Sequence, residues 1–232
     1  MKKIILFLIL GVAFQSCQKE VEDNSPAFQA RLNNNFWKAT ILSASKDASG
    51  GLTFTANSEL GTIVLKTSAA SAGTYTLGTT NQLNMATCNL LTDPSKNFQT
   101  GITQSAVNSV KITSGGTGYA LASLVSTNTL TGSGAGLKVN ITGVSASIAS
   151  VNKVEVNVAG NGYKAGDNVR IAGGDNNSNL TIVNVAKSNG EVIITKNDGL
   201  TVTGTFKFTA FDAPSGQTVL CRDGIFFKVP IN

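Results

Sequence analysis

Histidine is absent from this chain of 232 residues, and charged and aromatic residues are scarce, at 13% and 6% of the sequence. Without histidine, nucleophilic sites of the Ser-His-Asp and Cys-His types are excluded, and so are metal sites built on imidazole. The 13 carboxylates are scattered along the sequence and leave little for acid–base catalysis. The composition therefore predicts a protein that is not an enzyme and that uses no metal and no cofactor.

Basic residues outnumber acidic ones only slightly when the first residues are left out. Without Lys2 and Lys3, 16 basic and 13 acidic residues remain, and the only run of charges follows residue 18. Nucleic-acid binding requires a dense patch of lysine and arginine against phosphate. The sequence therefore predicts no nucleic-acid partner.

The amino terminus has the form of an export signal. Lys2 and Lys3 precede an apolar run, Ile4–Phe14, of eleven residues. As a helix this run would span about 16 Å, roughly half of a bilayer core, which is too short for a membrane-spanning segment. We therefore predict a signal peptide at residues 1–16.

Cys17 follows a small residue at the end of the apolar run, in the order Phe-Gln-Ser-Cys. This pattern resembles the lipobox of bacterial lipoproteins, in which the cysteine is acylated and becomes the first residue. The resemblance implies a lipid anchor on Cys17, a tether at residues 17–26 and an outer-membrane location. Cys-x-Lys followed by acidic residues also resembles an export signal for the outer surface. The periplasmic face remains an alternative, as does an ordinary signal peptide with an incidental cysteine.

The rest of the chain is typical of a β protein. Short β-branched or aromatic runs alternate with Gly- and Asn-rich turns, and no apolar stretch of ten residues has helical periodicity. The predicted strands include 28–32, 36–41, 52–56, 62–66 and 75–77. Trp37 lies beside Phe36 in the second of these strands, so one of the pair should face the core and the other should face outward or lie under a loop. We predict an all-β fold, an antiparallel β-sandwich.

Two hairpins are predicted near the carboxyl terminus. Asn-Asp-Gly at 197–199 separates two β-branched runs, and Asp223-Gly224 separates two more. Between them, Phe206 and Phe208 alternate with polar residues and should lie on one face of a strand.

An internal repeat occupies the middle of the chain. Val110–Tyr119 and Val154–Tyr163 share apolar positions and a Gly-x-Gly-Tyr ending, and the two segments are 44 residues apart. A fixed period indicates duplication of one supersecondary unit. We predict an insertion at 104–186, made of two β units that pack together or onto a sandwich formed by 27–103 and 187–232. Such units resemble repeats of phage virion and bacterial surface proteins, which serve as spacers and display modules.

Short motifs at both ends of the mature chain occur in a fixed order. They are Phe-Gln-Ala at 28–30, Trp-Lys-Ala at 37–39, Gly-Thr-Tyr-Thr-Leu-Gly at 73–78, Gly-Glu-Val-Ile-Ile-Thr at 190–195, Gly-Thr-Phe-Lys-Phe-Thr at 204–209 and Gly-Ile-Phe at 224–226. This order resembles a family of uncharacterised Bacteroidota lipoproteins defined by a domain of unknown function. The resemblance implies a small β-sandwich and no catalytic residues, with the two halves of the family pattern separated here by about ninety residues.

Two motifs mimic catalytic or metal sites without their context. Ser43 and Lys46 match the Ser-x-x-Lys pattern of serine β-lactamases, but that chemistry needs a helix, and this segment leads into a Ser-Gly-Gly turn. The loop from Asp175 has calcium-type oxygen ligands, but Leu180 and Ala186 replace the required glycine and glutamate. Neither motif changes the prediction of a non-catalytic protein.

Four further residues are candidates for a structural or binding role. Cys88 and Cys221 remain after acylation, and two interpretations stay open for them, a disulfide or two small buried side chains. Tyr119 and Tyr163 end equivalent glycine-lined turns, where an exposed ring would contact a ligand and a buried ring would cover its own hairpin.

We predict a cell-envelope lipoprotein that acts as a binding or adhesion module for a glycan or a surface protein. The alternative is a structural component of the envelope without a soluble ligand. An exposed aromatic patch on the insertion would favour the first, and a long exposed strand edge would favour the second.

Overall fold

The computed structural model describes residues 27–232, and every regular element in this range is a β-strand. Within that range there is no helix that could cross a membrane. The predicted signal peptide, the tether and Cys17 lie outside the described residues, so they stay predictions. The described chain forms two antiparallel sheets, one with eleven strands and one with six.

The larger sheet is built from the two ends of the described chain. Its strands are β1 (Ala27–Leu32), β2 (Asn35–Lys38), β3 (Ile41–Lys46), β4 (Leu52–Ser58), β5 (Gly61–Thr67), β6 (Gly73–Leu77), β7 (Met85–Leu90) and β8 (Phe98–Gln99), followed after the smaller sheet by β15 (Asn189–Asn197), β16 (Thr201–Phe211) and β17 (Thr218–Pro230). Their order is β2-β1-β17-β16-β8-β7-β5-β4-β3, and β15 joins β16 to β6. Ser43 and Lys46 therefore lie on a strand, without the helix that Ser-x-x-Lys catalysis needs.

The larger sheet curves over its own core. Phe54 on β4 and Phe226 on β17 have ring centroids 4.7 Å apart, although these strands are not neighbours in the sheet. Ala44 on β3 forms a bridge to Ile231, just beyond β17. The two halves of the sheet thus pack face to face, as a half-barrel with a shared apolar interior. The all-β, antiparallel prediction is confirmed.

Alternating burial along the strands fixes which side chains fill this core. In β16, Val202, Phe206 and Phe208 are buried, whereas Thr205 and Lys207 between them are exposed. This period of two is that of a strand with one face on a core. The predicted common face of the two phenylalanines is confirmed.

One predicted hairpin is present and the other is a bulge. β15 and β16 pair across the Asn-Asp-Gly turn, with Asn197 opposite Val202. Asp223 and Gly224, however, lie inside the continuous strand β17, so the second hairpin prediction is wrong. Asp223 has a positive φ of 54°, and β17 carries one extra residue against β16 at this point. An Asp-Gly pair can adopt the backbone conformation of a bulge as well as that of a turn.

The segment between the two halves forms the smaller sheet. Its strands are β9 (Val107–Ser114), β10 (Ala122–Thr129), β11 (Ala135–Val144), β12 (Val151–Asn161), β13 (Asn168–Ile171) and β14 (Asn179–Val185). Their order is β12-β11-β10-β13-β14-β9, and the outer strands β9 and β12 approach each other, so that the sheet is a nearly closed barrel. The exact boundaries predicted for the insertion stay predictions.

The strand order of the barrel is the same from either end when β9 is exchanged with β12, β10 with β13 and β11 with β14. At the centre, Thr127 on β10 pairs with Ile171 on β13, and these positions are one repeat period apart. The first strand of each unit pairs with the third strand of the other unit. The two units are therefore interleaved around one core, with an approximate two-fold relation.

The chain enters and leaves the barrel at adjacent points. The backbone N–H of Ala186 donates to the carbonyl of Ala106 at 2.8 Å, and the N–H of Gly101 donates to Ser188 Oγ at 2.7 Å. The half-barrel core contains no residue from 107–185, and the barrel core contains only residues from that range. Two cores are thus joined by two neighbouring connections.

Candidate functional site

The tyrosines singled out by the repeat lie inside the barrel. Tyr119 and Tyr163 have exposed fractions of only 4% and 0%. The hydroxyl of Tyr119 donates to the carbonyl of Ile171 at 3.1 Å, and it accepts from the backbone N–H groups of Asn177 and Ser178 at 3.2 and 3.0 Å. Of the two interpretations that the sequence left open, this position agrees with buried, structural rings, because neither ring presents a face to solvent.

Each tyrosine packs against the opposite repeat unit. A Cβ on Gly134 would lie 2.2 Å from the ring of Tyr163, and one on Gly174 would lie 2.7 Å from the ring of Tyr119. The Tyr163 hydroxyl accepts from the backbone N–H of Leu137 at 3.4 Å. The tyrosines therefore hold the two interleaved units together, which is a structural role.

Cys88 on β7 and Cys221 on β17 are both buried and both free thiols. Burial raises the pKa of the Cys88 thiol to about 12. Burial also raises the pKa of Cys221, with smaller contributions from Cys88 and Asp223. The structure thus has two buried thiols rather than the disulfide, and neither carries the thiolate that reactive cysteines need.

We expect both thiols to resist alkylation in the folded protein at pH 8 and to react fully in guanidinium chloride without reductant. The raised pKa values and the burial both suppress the reactive thiolate. Mass spectrometry after iodoacetamide treatment counts the modified residues. Denatured protein that gains no adduct until a reductant is added would show a disulfide and would contradict the structure.

An open cavity of about 320 Å³ lies at one end of the half-barrel. We call it the end cavity. It is lined by Leu32, Asn33, Asn35, Phe36, Trp37, Leu60, Leu90 and Thr92. These residues come from the β1–β2 turn, the β4–β5 turn and the end of β7, so the cavity opens between the two packed halves of the sheet.

The β1–β2 turn positions the aromatic residues of the end cavity. Asn33 and Asn34 both have positive φ, 48° and 71°, as a two-residue type I′ turn requires. Asparagine adopts this conformation more readily than most residues. Because side chains alternate along the strand that follows, Phe36 is 53% exposed at the mouth and Trp37 is 1% exposed in the core. The expectation that one of this pair faces inward and one outward is confirmed.

Leucines complete the apolar part of the end cavity. Leu60 is half-exposed at the β4–β5 turn, and its carbonyl accepts from the N–H of Leu91, which is itself exposed. Leu91 does not line the end cavity, so the exposed apolar side chains of its lining are Phe36 and Leu60. Clustered exposed apolar groups of this kind are typical of binding sites.

Trp37 borders the end cavity, and its side chain carries an unpaired polar group in the core of the half-barrel. Its ring meets Phe28 edge-on, with centroids 6.0 Å apart. Its Nε1 is buried, and no described residue supplies an acceptor for the N–H. Buried donors almost always have a partner, so this N–H marks a place where an acceptor is missing from the described fold.

None of the eight lining residues is charged. Asn33, Asn35 and Thr92 offer amide and hydroxyl groups near the mouth, and the remaining wall is apolar. Within residues 27–232 no cluster of three or more Cys, Asp or Glu side chains is placed to hold a metal. The end cavity can therefore bind a neutral molecule through apolar contact and hydrogen bonds, and it offers no acid, base or nucleophile.

The sequence predicted that one of Phe36 and Trp37 faces the core and the other faces outward. It did not predict the end cavity that both residues line. Leu60 and Leu90 are about thirty residues apart and reach the same wall only because β5 pairs with β7. The turn at Asn33–Asn34 was visible in the sequence, whereas this long-range pairing carried no local signal.

The chain matches a protein family that is described as a domain of unknown function (DUF6252). Its sequence model aligns with residues 24–132 and with residues 126–230. The chain belongs to this family. The DUF6252 match runs from both ends into the segment that forms the barrel, beyond the two end regions that carried the resemblance in the sequence. No curated protein and no solved structure matches the chain. Its function therefore has to be argued from the site.

Proposed function

We propose that this DUF6252 protein is a lipid-anchored envelope protein that binds a ligand at the end cavity and catalyses no reaction. The single observation that carries the binding role is the end cavity, with its mostly apolar lining and the exposed side chain of Phe36. The lipobox-like sequence before Cys17 supports the anchor. Two or three acyl chains would hold such a protein durably on a membrane.

The sheet edges favour binding over assembly as an envelope scaffold. At one end of the larger sheet, β2 has only four residues, and at the other end β3 is bridged to Ile231. In the barrel, the outer strands β9 and β12 approach each other. Short or protected edges are poor templates for strand-to-strand assembly. The large apolar side chains exposed on the barrel, such as Leu121 and Ile148, are aliphatic, so the aromatic contact lies on the half-barrel.

Replacement of Cys17 by alanine should release the protein from the membrane. The thiol is the proposed attachment point of the acyl chains, so Cys17→Ala should yield either a detergent-independent soluble protein or an unprocessed precursor. Detergent-phase partition and intact mass give the result. A variant that still partitions with detergent and still carries the acyl mass would refute the anchor.

The binding half of the proposal is tested by thermal denaturation against saccharides and neutral amphiphiles. A true ligand raises the melting temperature of the wild type. It should have a smaller effect on Phe36→Ala, which alters the mouth of the end cavity without touching the core. Ile41→Ala is a matched control, because Ile41 is exposed on β3 and does not line the cavity. If no compound stabilises the wild type, the structural-component alternative is favoured.

A further inference from the structure

We propose that Asn161 is a site of spontaneous deamidation, and that the reaction alters the covalent structure of the turn before Tyr163. The chain contains two Asn-Gly pairs, Asn161-Gly162 and Asn189-Gly190. In an Asn-Gly pair the backbone nitrogen of the glycine can attack the asparagine side chain with little steric hindrance, because glycine has no Cβ. The surroundings of the two pairs in the fold single out the first as the reactive one.

The turn that contains Asn161 is held less firmly than the equivalent turn of the other repeat unit. In that unit Thr117 takes the same position, and its N–H donates to Asn177 Oδ1 at 2.8 Å while its hydroxyl donates to Asp175. Asn161 is exposed, and its side-chain amide has no hydrogen-bond partner among residues 27–232. The N–H of Gly162 also donates to no acceptor in this part of the chain. The attacking nitrogen and the amide that it attacks are therefore both unengaged.

Asn189 has the same neighbour in sequence but is fixed by the fold. Its Nδ2 donates to the carbonyls of Val185 and Ala186 at 3.0 and 2.9 Å. The glycine that follows it, Gly190, lies within β15 and pairs with Phe208 of β16. Reaction at this pair would require the side chain to give up both hydrogen bonds and the backbone to leave the sheet. Asn189 is thus the internal control for Asn161.

The reaction consumes only solvent water. The deprotonated backbone nitrogen of Gly162 bonds to Cγ of Asn161, the bond from Cγ to the amide nitrogen breaks, and ammonia leaves. Water then opens the resulting five-membered imide at one of its two carbonyls. One opening gives an ordinary aspartate. The other gives an isoaspartyl link, in which the main chain runs through the side chain and is one carbon longer.

The isoaspartyl link acts on the point where the two cores are joined. Tyr163 comes directly after the turn, and its ring is fully buried in the barrel core. Its N–H and its carbonyl form two backbone hydrogen bonds of 3.0 Å with Ser105, in the connection from the half-barrel. A longer main chain at this position cannot keep both the close-packed ring and these bonds in place. The isoaspartyl form should therefore have a lower melting temperature, whereas the aspartate form should not, because the side chain of Asn161 is exposed and unbonded.

Peptide mapping of the purified full-length protein after incubation at pH 8 tests the site. Trypsin separates the two pairs into peptides 154–164 and 188–196. We expect the first peptide to gain about 1 Da, assigned to Asn161 by fragmentation. The gain should be at least about tenfold faster than that of the second peptide, because Asn189 must first break its hydrogen bonds. In guanidinium chloride the two rates should converge, since the fold no longer separates the two pairs.

Two variants separate the link from the charge. Asn161→Gln cannot form the five-membered imide and should keep its melting temperature on ageing. Asn161→Asp introduces the charge alone and should melt like fresh wild type, above aged wild type that carries the isoaspartyl link. No reaction at Asn161, or equal rates at Asn161 and Asn189 in the folded protein, would overturn the site. Aged wild type that carries the link and melts like fresh protein would overturn its effect on the barrel.

Discussion

Replacing Tyr119 or Tyr163 by alanine is expected to lower the free energy of unfolding of the barrel by about 3–5 kcal/mol, the range measured for buried aromatic residues. Each ring is enclosed, and each packs against a glycine of the opposite repeat unit, Gly174 for Tyr119 and Gly134 for Tyr163. Alanine would leave a cavity at the contact between the two units. Urea denaturation followed by hydrogen exchange of the barrel amides measures the loss.

Phenylalanine substitutions at the same positions keep the ring and remove only the hydroxyl. They therefore measure what the hydroxyl hydrogen bonds contribute to stability. Tyr119→Phe leaves the N–H groups of Asn177 and Ser178 without their acceptor, at a cost of about 1–3 kcal/mol. Tyr163→Phe should cost less, because the hydroxyl accepts only the longer 3.4 Å bond from Leu137. The pair is a matched comparison of equivalent repeat positions with unequal hydrogen bonding.

Two results would contradict this account of the tyrosines. Equal stability of Tyr119→Ala and the wild type would mean that the ring does not hold the units together. A greater loss for Tyr163→Phe than for Tyr119→Phe would mean that the hydrogen-bond assignment is wrong. The first outcome would also favour the interpretation in which the tyrosine ring is available to a ligand.

The sequence was a good guide where the signal was local. The β-period of Phe206 and Phe208, the Asn-Asp-Gly hairpin and the in-and-out pair Phe36–Trp37 all depend on neighbouring residues, and the structure agrees with each. The Asp223–Gly224 hairpin failed for a physical reason. A left-handed residue before glycine is compatible with a turn and with a bulge, and only the pairing of β17 with β16 decides between them.

The long-range features of the fold had no such local signal. The repeat of 44 residues predicted two units but not their interleaving, in which the first strand of each unit pairs with the third strand of the other. Because the units interleave, the tyrosines after the Gly-x-Gly turns lie in the shared core of the barrel and contact the opposite unit. The end cavity was hidden in the same way, since its leucines meet only through the pairing of strands that are distant in sequence.

Removal of residues 104–186, with a short Gly/Ser linker in their place, should leave a half-barrel that unfolds cooperatively. Gly101 and Ser188, on either side of the removed segment, are joined by a hydrogen bond of 2.7 Å, so a short linker can span the gap without strain. The half-barrel core contains no barrel residue. Domain insertions are tolerated at such neighbouring chain ends.

The deletion removes a few hydrogen bonds between the barrel and the half-barrel, among them those of Ser188 and Asn189 to Val185 and Ala186, and this predicts a limited destabilisation. Asn184 in the barrel donates to the carbonyl of Leu77 in the half-barrel at 3.1 Å, and the deletion leaves that carbonyl without this donor. A loss of about 1–3 kcal/mol is expected from one such group. Circular dichroism and fluorescence of Trp37 on heating should still report a single sharp transition.

The deletion also decides what the family match means. Because the DUF6252 match reaches residue 132 from one side and residue 126 from the other, the barrel is either an insertion tolerated by the family fold or an integral part of it. A cooperative remainder establishes the half-barrel as the independent unit. A remainder that melts gradually, with the emission of Trp37 already that of a solvent-exposed indole at low temperature, would show that the half-barrel needs the barrel to fold. The separate cores favour the first outcome, because each sheet buries its own apolar face without borrowing side chains from the other.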